Sequence, residues 1–344
     1  EGIPPCLDIS FTPVLMEQLA HAEFAPGFRR YLAGRIACAR DDGRQFEKNG
    51  EADLRPLAAF WEGWYEGLSR FFEDDCRADI LAAWRSLQDE AQVEVLTSAA
   101  THGYLPLLSE DDSVRWQVRQ GRLSYERFFG RKPRGFWLPE CAYRPGYVWS
   151  APLGRRQAVS RAGLDEILKQ EGVGCFFVDG QPLRGGDAQG VYNERFPALK
   201  SLWDTSLQAR GPISGPAVSP YEAYRAHPSG VPFLVRDEDS GAQVWSRGSG
   251  YPGDGRYLEF HKKRFPGGLR YWRVTSSDGD LGQKEPYDPA AARAGLEANA
   301  GHFVHRLETS LGSRPEGGFV AALYDTELFG HWWFEGPEWI YLVL

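Results

Sequence analysis

Four titratable side chains, His102, Glu140, Asp179 and Asp325, each fall at or just after the end of a short apolar segment with strand character. In a parallel sheet the carboxyl ends of the strands meet at one edge, and polar residues at that edge form binding and catalytic sites. The placement of these four side chains therefore predicts a functional site at one edge of a sheet.

Glu140 follows the apolar string Gly-Phe-Trp-Leu-Pro and is flanked by Trp137, Tyr143 and Arg144. A carboxylate directly after a buried strand is placed to face a cleft. The sequence leaves two alternatives open, a carboxylate near a helix N-terminus and a surface ion pair with Arg144.

Asp325 lies in a segment where six aromatic residues and one histidine surround four carboxylates. Aromatic rings pack on the apolar faces of sugars, while carboxylates and histidine bind hydroxyl groups, so this composition is typical of a carbohydrate site. The alternative is an aromatic core in which Asp325 caps the next helix with help from Glu327.

Two carboxylates on strand ends suit the cleavage of a glycosidic bond, one as the nucleophile and the other as general acid and base. In a retaining mechanism the two carboxyl groups lie about 5–5.5 Å apart. Apolar surroundings should raise the pKa of the acid partner.

Three further features are open or weaker. Asp179 fits a sugar ligand and a turn residue equally well. Cys141 could act as a thiol nucleophile, but the string around it is typical of an enzyme that uses carboxylates. The basic run Lys262-Lys263-Arg264 is expected on a solvated face.

The elements that must position these residues follow from the apolar periodicity. Strands are predicted over 93–97, 135–138, 175–179, 231–235 and 319–325. Helices are predicted over 25–37, 51–90, 112–129 and 155–170. Strands alternating with helices indicate an α/β fold with a parallel sheet.

Two segments depart from that alternation. Residues 51–90 carry an aromatic stripe at helical spacing, which we expect to pack in a core: Leu57, Phe60, Trp61, Trp64, Tyr65, Leu68, Phe71 and Phe72. Residues 185–282 are rich in Gly, Pro, Ser and aromatic residues, and such a long irregular segment in a compact domain is usually functional.

Composition excludes several classes of protein. The chain has 344 residues and a formal net charge of −8, which disfavours a nucleic-acid binder. No apolar run reaches the roughly 18–20 residues of a membrane span. Five cysteines without a Cys-x-x-Cys pair, and no signal-like start, favour the cytoplasm. We expect neither a metal site nor a cofactor, because ligand spacings such as His-Glu-x-x-His are absent.

Five strings in this order resemble the signature regions of glycoside hydrolase family 57. The first two strings are Thr-His-Gly-Tyr-Leu-Pro-Leu-Leu from Thr101 and Gly-Phe-Trp-Leu-Pro-Glu-Cys-Ala-Tyr-Arg-Pro-Gly from Gly135. The third is Arg-Asp from Arg236, with Gln-Val-Trp-Ser beginning seven residues after Arg236. The last two are Gly-Tyr-Pro-Gly-Asp from Gly250 and Tyr-Asp-Thr-Glu-Leu-Phe-Gly-His-Trp-Trp from Tyr324. The fullest match is to the 1,4-α-glucan branching enzymes of that family. The resemblance implies a (β/α)7 barrel, an incomplete TIM-like barrel, that transfers a glucan segment from an α-1,4 to an α-1,6 linkage with retention.

The resemblance also assigns roles by position. Glu140 matches the nucleophile, Asp325 the acid/base, and His102 a subsite residue beside the cleaved bond. The remaining substrate-binding candidates are Trp137, Tyr143, Arg236, Trp245, the backbone of Gly253, His331 and Trp332. The implied partner is an α-glucan such as amylose or glycogen.

The chain departs from the family pattern at both ends. The His-x-His-x-Pro string of the family's first strand has no counterpart, and residues 7–13 look like the segment after strand two. We therefore expect a fragment: a truncated catalytic barrel over 1–335, with a helical insertion at about 25–90 and a substrate loop at about 185–282, and the start of a missing helical domain at 336–344. The family's mobile-loop tyrosine could be Tyr192, Tyr221 or Tyr224. Without one, hydrolysis would rise relative to transfer.

Other functions stay open. Within the same family the alternatives are an α-amylase-like hydrolase and a 4-α-glucanotransferase. A polysaccharide deacetylase would need an Asp and two His ligands, and only His302 and His305 show paired spacing. A non-catalytic glucan-binding module is the third class.

Overall fold

The computed structural model describes residues 7–150, 158–180, 183, 218–246, 248, 250–276, 279–312 and 317–344. The strands of this part are β1 (Asp8–Phe11), β2 (Glu94–Ser98), β3 (Gly135–Trp137), β4 (Tyr147–Trp149), β5 (Val159–Arg161), β6 (Cys175–Val178), β7 (Tyr224–Arg225) and β8 (Pro232–Val235). Six of them form one sheet in the order β1-β2-β3-β6-β8-β7. All its pairs are parallel except β7–β8, so the predicted α/β fold with a mostly parallel sheet is confirmed.

Four predicted strands are found within a residue or two of their expected ends, as β2, β3, β6 and β8. Two expectations were wrong. Residues 7–13, which we expected to follow a strand, contain the edge strand β1 themselves. Of the residues predicted as a strand over 319–325, only Ala321 forms a β-bridge, parallel to Arg236, and it accepts a hydrogen bond from the Asp237 N–H. The Phe319 N–H donates to the Tyr221 carbonyl. The part of the chain described here forms an open sheet, with β1 and β7 at its edges.

The helices are α1 (Pro13–Ala20), α2 (Phe24–Asn49), α3 (Arg55–Arg70), α4 (Ile80–Asp89), α5 (Asp111–Phe129), α6 (Leu164–Gln170), α7 (Glu238–Trp245), α8 (Pro289–Gly312) and α9 (Gly336–Val343). The helices predicted over 25–37 and 51–90 are found as α2, α3 and α4. Gly50 ends α2 and Gly130 ends α5, both in the left-handed conformation that a residue without Cβ adopts easily.

The helix predicted over 155–170 was wrong in its described first half. Residues 159–161 form β5, which pairs antiparallel with β4, and the helix α6 begins only at Leu164. The buried Arg161 explains the strand, because its guanidinium reaches across to Asp111 and to the carbonyls of Leu108 and Ser109. This anchoring is a contact between distant segments that helical periodicity does not contain.

Three hydrophobic clusters hold the elements together. The first joins α2, α3, α7, α8 and α9, and includes Trp61, Trp333 and Trp339. The second packs α5 and α6 on β3, β6 and β8. The third joins β1, β2, α1, α4 and α5. Helix α9 belongs to the first cluster, since the Trp333 and Trp339 ring centroids lie 5.4 Å apart.

The aromatic stripe is only partly core. Leu57, Trp61 and Phe72 are buried, but Trp64 and Phe71 are about half exposed. The basic run is likewise mixed: Arg264 is mostly buried and bonds to Asp42, so a fully solvated face was a wrong expectation. Lys262 and Lys263 lie over aromatic rings of neighbouring residues.

The segment 185–282 is less irregular than its composition suggests in its described part, which holds β7, β8 and α7. No helix among the described residues is both long enough and apolar enough to cross a membrane.

Candidate active site

Glu140 sits on a tight turn directly after β3. Pro139–Cys141 form a single 3-10 turn in which Glu140 has φ 59° and ψ 23°, and Cys141 has φ 52°. Such left-handed backbone is rare outside glycine and often marks functional sites. The turn is fixed at both sides, because the Cys141 N–H donates to Leu138 O at 2.8 Å and its carbonyl accepts from Asp179 N at 3.3 Å. The Glu140 side chain is 62% exposed, so the turn aims a carboxylate into solvent.

The ion pair of Glu140 with Arg144 is not formed. The guanidinium of the buried Arg144 bonds to the Ala162 carbonyl at 2.6 Å and lies beside Asp111. Glu140 instead faces His102, with 3.7 Å between Oε1 and Nε2. The two strand-end residues therefore come together as the sequence predicts.

His102 follows β2 on a similar turn. Its φ is 54°, its N–H donates to Ala99 O at 3.0 Å, and its Nδ1 lies 3.3 Å from Ser98 Oγ. The Thr101 N–H donates to Gln117 Oε1 of α5 at 3.0 Å. The loop that carries the imidazole is thus pinned to the helix behind it.

Asp325 is half-buried at the start of a short turn, Thr326–Leu328. Its side chain makes no capping hydrogen bond to that turn, so the capping alternative is not supported. Burial raises the pKa of the Asp325 carboxyl, and the negative charges of Glu327 and Glu140 raise it further, against the lowering by Arg236 and His102. A raised pKa is what a general acid requires.

Several of the same charged groups also affect the pKa of the Cys141 thiol. Burial raises the pKa of its thiol to about 12, and the charges of Asp179, Asp325 and Glu140 add to burial while Arg236 opposes it. A thiol held protonated is a poor nucleophile, which disfavours the cysteine alternative. The carboxylates act electrostatically on one another, but the 5–5.5 Å separation of a retaining pair stays a prediction.

Asp179 has the hydrogen bond expected of a turn residue, and its role as a sugar ligand stays a prediction. Its Oδ1 accepts the Gly180 N–H at 2.8 Å, as in a turn, while its charge acts on Cys141 within the site.

Helix α7 positions two of the substrate-binding candidates. Arg236 lies two residues before the helix and packs over Gly241. Trp245 is the last residue of the helix and is 37% exposed. Asp237 caps the helix by accepting the Ser240 N–H at 2.7 Å. The N–H of Gly253, in contrast, donates to Gly250 O within its own turn at 3.2 Å.

Trp332 and His331 lie at the surface in the loop after Asp325. Trp332 is 47% exposed and stacks on Phe260, with centroids 4.5 Å apart and planes at 26°. His331 meets the edge of the same Phe260 ring at 5.4 Å. The next residue, Trp333, is instead buried in the first core cluster.

Trp137 and Tyr143 flank Glu140 but point to different environments. Trp137 is half-buried against Phe177, whereas Tyr143 stacks on Phe176 and donates its hydroxyl to Asp165 Oδ1 at 3.0 Å. The Tyr143 hydroxyl is thus engaged with α6.

Two of the loop-tyrosine candidates also have their hydroxyl groups engaged within the protein. Tyr221 donates to Asp237 Oδ1 at 3.2 Å and Tyr224 to Ser219 O at 2.6 Å. Tyr192 lies outside the described residues.

Sequence reasoning missed Ser98, which contacts His102, and Phe260, which stacks on Trp332. It assigned Glu327 only a capping role. Nothing in the local sequence marks Ser98, because its importance comes from contacts across two strands. Glu327 carries a signal, since a carboxylate two residues from Asp325 must affect its titration.

No group of three or more His, Cys, Asp and Glu side chains in the described part of the chain is arranged to hold a metal ion. Of the deacetylase candidates, His302 uses its Nδ1 in a hydrogen bond with Tyr251 at 2.8 Å.

Comparison with known proteins gives a consistent result. Residues 17–332 match Glycosyl hydrolase family 57. A 1,4-alpha-glucan branching enzyme of Thermococcus kodakarensis is 40% identical over 347 residues, covering 100% of this chain and 48% of that protein. The structure of a branching enzyme of this family from Pyrococcus horikoshii is 38% identical with a TM-score of 0.83, covering 100% of this chain and 57% of that one.

An alpha-amylase structure, AmyC from Thermotoga maritima, is 29% identical with a TM-score of 0.76, covering 98% of this chain and 61% of that one. The chain thus spans about half to three-fifths of the length of these relatives.

Proposed function

The chain belongs to Glycosyl hydrolase family 57, and from that premise we propose that it carries the catalytic residues of a retaining 1,4-α-glucan branching enzyme. One observation carries the proposal: an exposed Glu140 carboxylate stands at a strand end where its charge raises the pKa of a half-buried Asp325. This is the division of two carboxylates into nucleophile and acid that retention requires. The names of the relatives support the branching activity.

In the first step Glu140 attacks the anomeric carbon of an α-1,4-linked glucose and forms a glycosyl ester. The proton of Asp325 passes to the departing O4 of the next glucose, so that segment leaves as an alcohol. In the second step the Asp325 carboxylate accepts the proton of a 6-hydroxyl on an acceptor glucan. The acceptor oxygen attacks the same carbon, forms the α-1,6 bond and releases Glu140.

The surrounding residues complete the proposal. The Arg236 guanidinium and the His102 imidazole supply hydrogen bonds to sugar hydroxyls beside the reacting bond. Trp137, Trp245 and Trp332 supply apolar faces for glucose rings, with His331 beside them. Tyr143 and the Gly253 turn form part of the walls of the proposed glucan site. The (β/α)7 barrel and a cytoplasmic, glycogen-forming role belong to the proposal; the four described cysteines are free thiols, as in a reducing compartment.

A second candidate is an α-amylase-like hydrolase, favoured by the likeness to AmyC. The chemistry differs only in the second step, where water takes the place of the acceptor hydroxyl. Exclusion of water therefore separates the two activities.

The test is incubation of the protein with amylose, followed by debranching and chain-length analysis for new α-1,6 branch points. Glu140→Gln should abolish them, because an amide cannot form the ester. Glu73→Gln, which changes an exposed carboxylate paired with Arg29, is the matched control and should branch normally. Reducing ends without branch points would select the hydrolase, and branching by Glu140→Gln would exclude Glu140 as nucleophile.

A further inference from the structure

We propose that Ser98 is a positioning residue that places the proton of the neutral His102 ring on Nδ1 and leaves Nε2 as a hydrogen-bond acceptor beside Glu140. The use of that acceptor for a sugar rests on the proposed function. The protonation pattern itself rests only on geometry.

The hydrogen bonds of Ser98 fix the pattern. Ser98 Oγ lies 2.8 Å from the Trp137 carbonyl oxygen and 3.3 Å from His102 Nδ1. A carbonyl oxygen only accepts, so the single hydroxyl proton of Ser98 points to Trp137. The hydroxyl therefore presents a lone pair to Nδ1, and Nδ1 must carry the hydrogen between them.

The hydroxyl cannot easily turn away from this arrangement. Ser98 is fully buried, and it is paired in register with Trp137 on the neighbouring strand. Turning the hydroxyl toward His102 would break its 2.8 Å hydrogen bond to the Trp137 carbonyl. The strand pairing thus determines which nitrogen of a ring on a loop is protonated.

The consequence appears at the other side of the ring. His102 Nε2 is 3.7 Å from Glu140 Oε1, and both atoms are acceptors when Nδ1 holds the proton of the neutral ring. No ring N–H then donates a hydrogen bond to the Glu140 carboxylate. Such a hydrogen bond would make the carboxylate a weaker nucleophile. Nε2 is left to accept a sugar hydroxyl next to the reacting bond.

The experiment is NMR of protein labelled with 15N at its histidine rings, at a pH where His102 is neutral, with no glucan present. His102→Gln identifies the His102 signals by their loss. The wild type should show a bare Nε2 and a protonated Nδ1. In Ser98→Ala at least half of the His102 rings should carry the proton on Nε2, because the oxygen that accepts the Nδ1–H is gone.

Thr97→Val is the matched control. Thr97 is also fully buried and donates its hydroxyl to the Gly121 carbonyl at 2.8 Å, one residue earlier on the same strand. Both variants lose a buried hydroxyl-to-carbonyl bond, so both should lose stability, but Thr97→Val should keep Nδ1–H.

Two results would overturn the proposal: a wild-type ring with Nε2–H, or the same tautomer change in both variants. The measurement needs no substrate, so failure of the wild type to branch amylose would overturn the proposed function without deciding the tautomer. In an active protein Ser98→Ala should lower kcat at least several-fold more than Thr97→Val does.

Discussion

Gly121 in the middle of α5 lies directly on the carbonyl of Ser98 at the end of β2, with no room for a Cβ between them. The Phe136 ring closes the same space at 3.5 Å from where that Cβ would be. A glycine inside a helix costs about 1 kcal/mol relative to alanine, so this one is explained by the close approach of helix and strand. The contact fixes the base of the loop that carries His102.

Replacing this glycine should therefore be costly. Gly121→Ala is expected to destabilise the fold by about 1–3 kcal/mol, because the methyl group must push α5 away from β2. Urea unfolding measures the change. Gly34→Ala is the control: Gly34 is inside α2 with nothing near its missing Cβ, so the same substitution should be neutral or stabilise by up to about 1 kcal/mol. Equal effects of the two changes would contradict the close contact.

The pH dependence of activity should follow Asp325. In the proposed mechanism Asp325 must be protonated in the first chemical step. Activity should therefore fall as pH rises through the pKa of Asp325, which burial and the charges of Glu327 and Glu140 raise. Glu327→Gln removes one of these negative charges and lowers the pKa of Asp325. The alkaline limb of the pH–kcat/KM profile should move to lower pH. Glu73→Gln should leave the profile in place, and an unmoved or alkaline-shifted limb in Glu327→Gln would contradict this assignment.

The Arg161–Asp111 pair should dominate the local stability of the β4–β5 hairpin. Burial alone would raise the pKa of Asp111, but hydrogen bonds from the Ala162 N–H and Arg161, together with the charges of Arg161 and Arg144, outweigh burial and lower it. Arg161→Met removes one partner of Asp111 and the donor to the Leu108 and Ser109 carbonyls, and should cost about 3 kcal/mol. Arg29→Met, which breaks an exposed pair with Glu73, should cost less than about 1 kcal/mol.

The same pair predicts an acid dependence. Because the folded pKa of Asp111 is depressed, its stabilising contribution is present above the unfolded pKa of about 3.9 and is lost as pH falls through the lower folded value. The stability gap between wild type and Asp111→Asn should therefore narrow below about pH 4. A gap that stays constant to pH 2 in chemical unfolding would refute the linkage.

The exposed tryptophans should separate into binding and surface residues. Trp332→Ala and Trp245→Ala each remove a ring that the proposed function assigns to a glucose. Each substitution should weaken glucan binding by about 1 kcal/mol, roughly five-fold in Kd. Trp116→Ala is the control, since Trp116 is 57% exposed on α5 and is engaged only with Arg119 among described rings and cations. Affinity electrophoresis in amylose gels makes the comparison. Similar retardation of all three variants and the wild type would exclude a binding role.

Phe260 tests how Trp332 is held. Its ring covers one face of the Trp332 indole, so Phe260→Leu should weaken glucan binding less than Trp332→Ala but in the same direction. The measurement is the same gel retardation. Full affinity in Phe260→Leu would show that the indole needs no such support.

The sequence by itself determined where the residues of the candidate site lie along the chain. Short apolar strands predict that His102, Glu140 and Asp179 follow strand ends, and the structure has them there. Parallel strands bring their carboxyl ends to one edge of the sheet, so these residues lie at the same edge. Asp325 was found from its aromatic surroundings, although the strand predicted before it pairs only at Ala321.

The tertiary structure alone decided how these groups are oriented. The left-handed turns at Glu140 and His102 and the hydroxyl of Ser98 depend on contacts between segments far apart in the chain. The burial of the aromatic rings also depends on such contacts. Trp332 lies at the surface and the next residue, Trp333, lies in the core, because the loop turns one indole outward and packs the other against Trp339. Periodicity specifies which face of an element is apolar. Only the assembled elements specify which atoms meet across them.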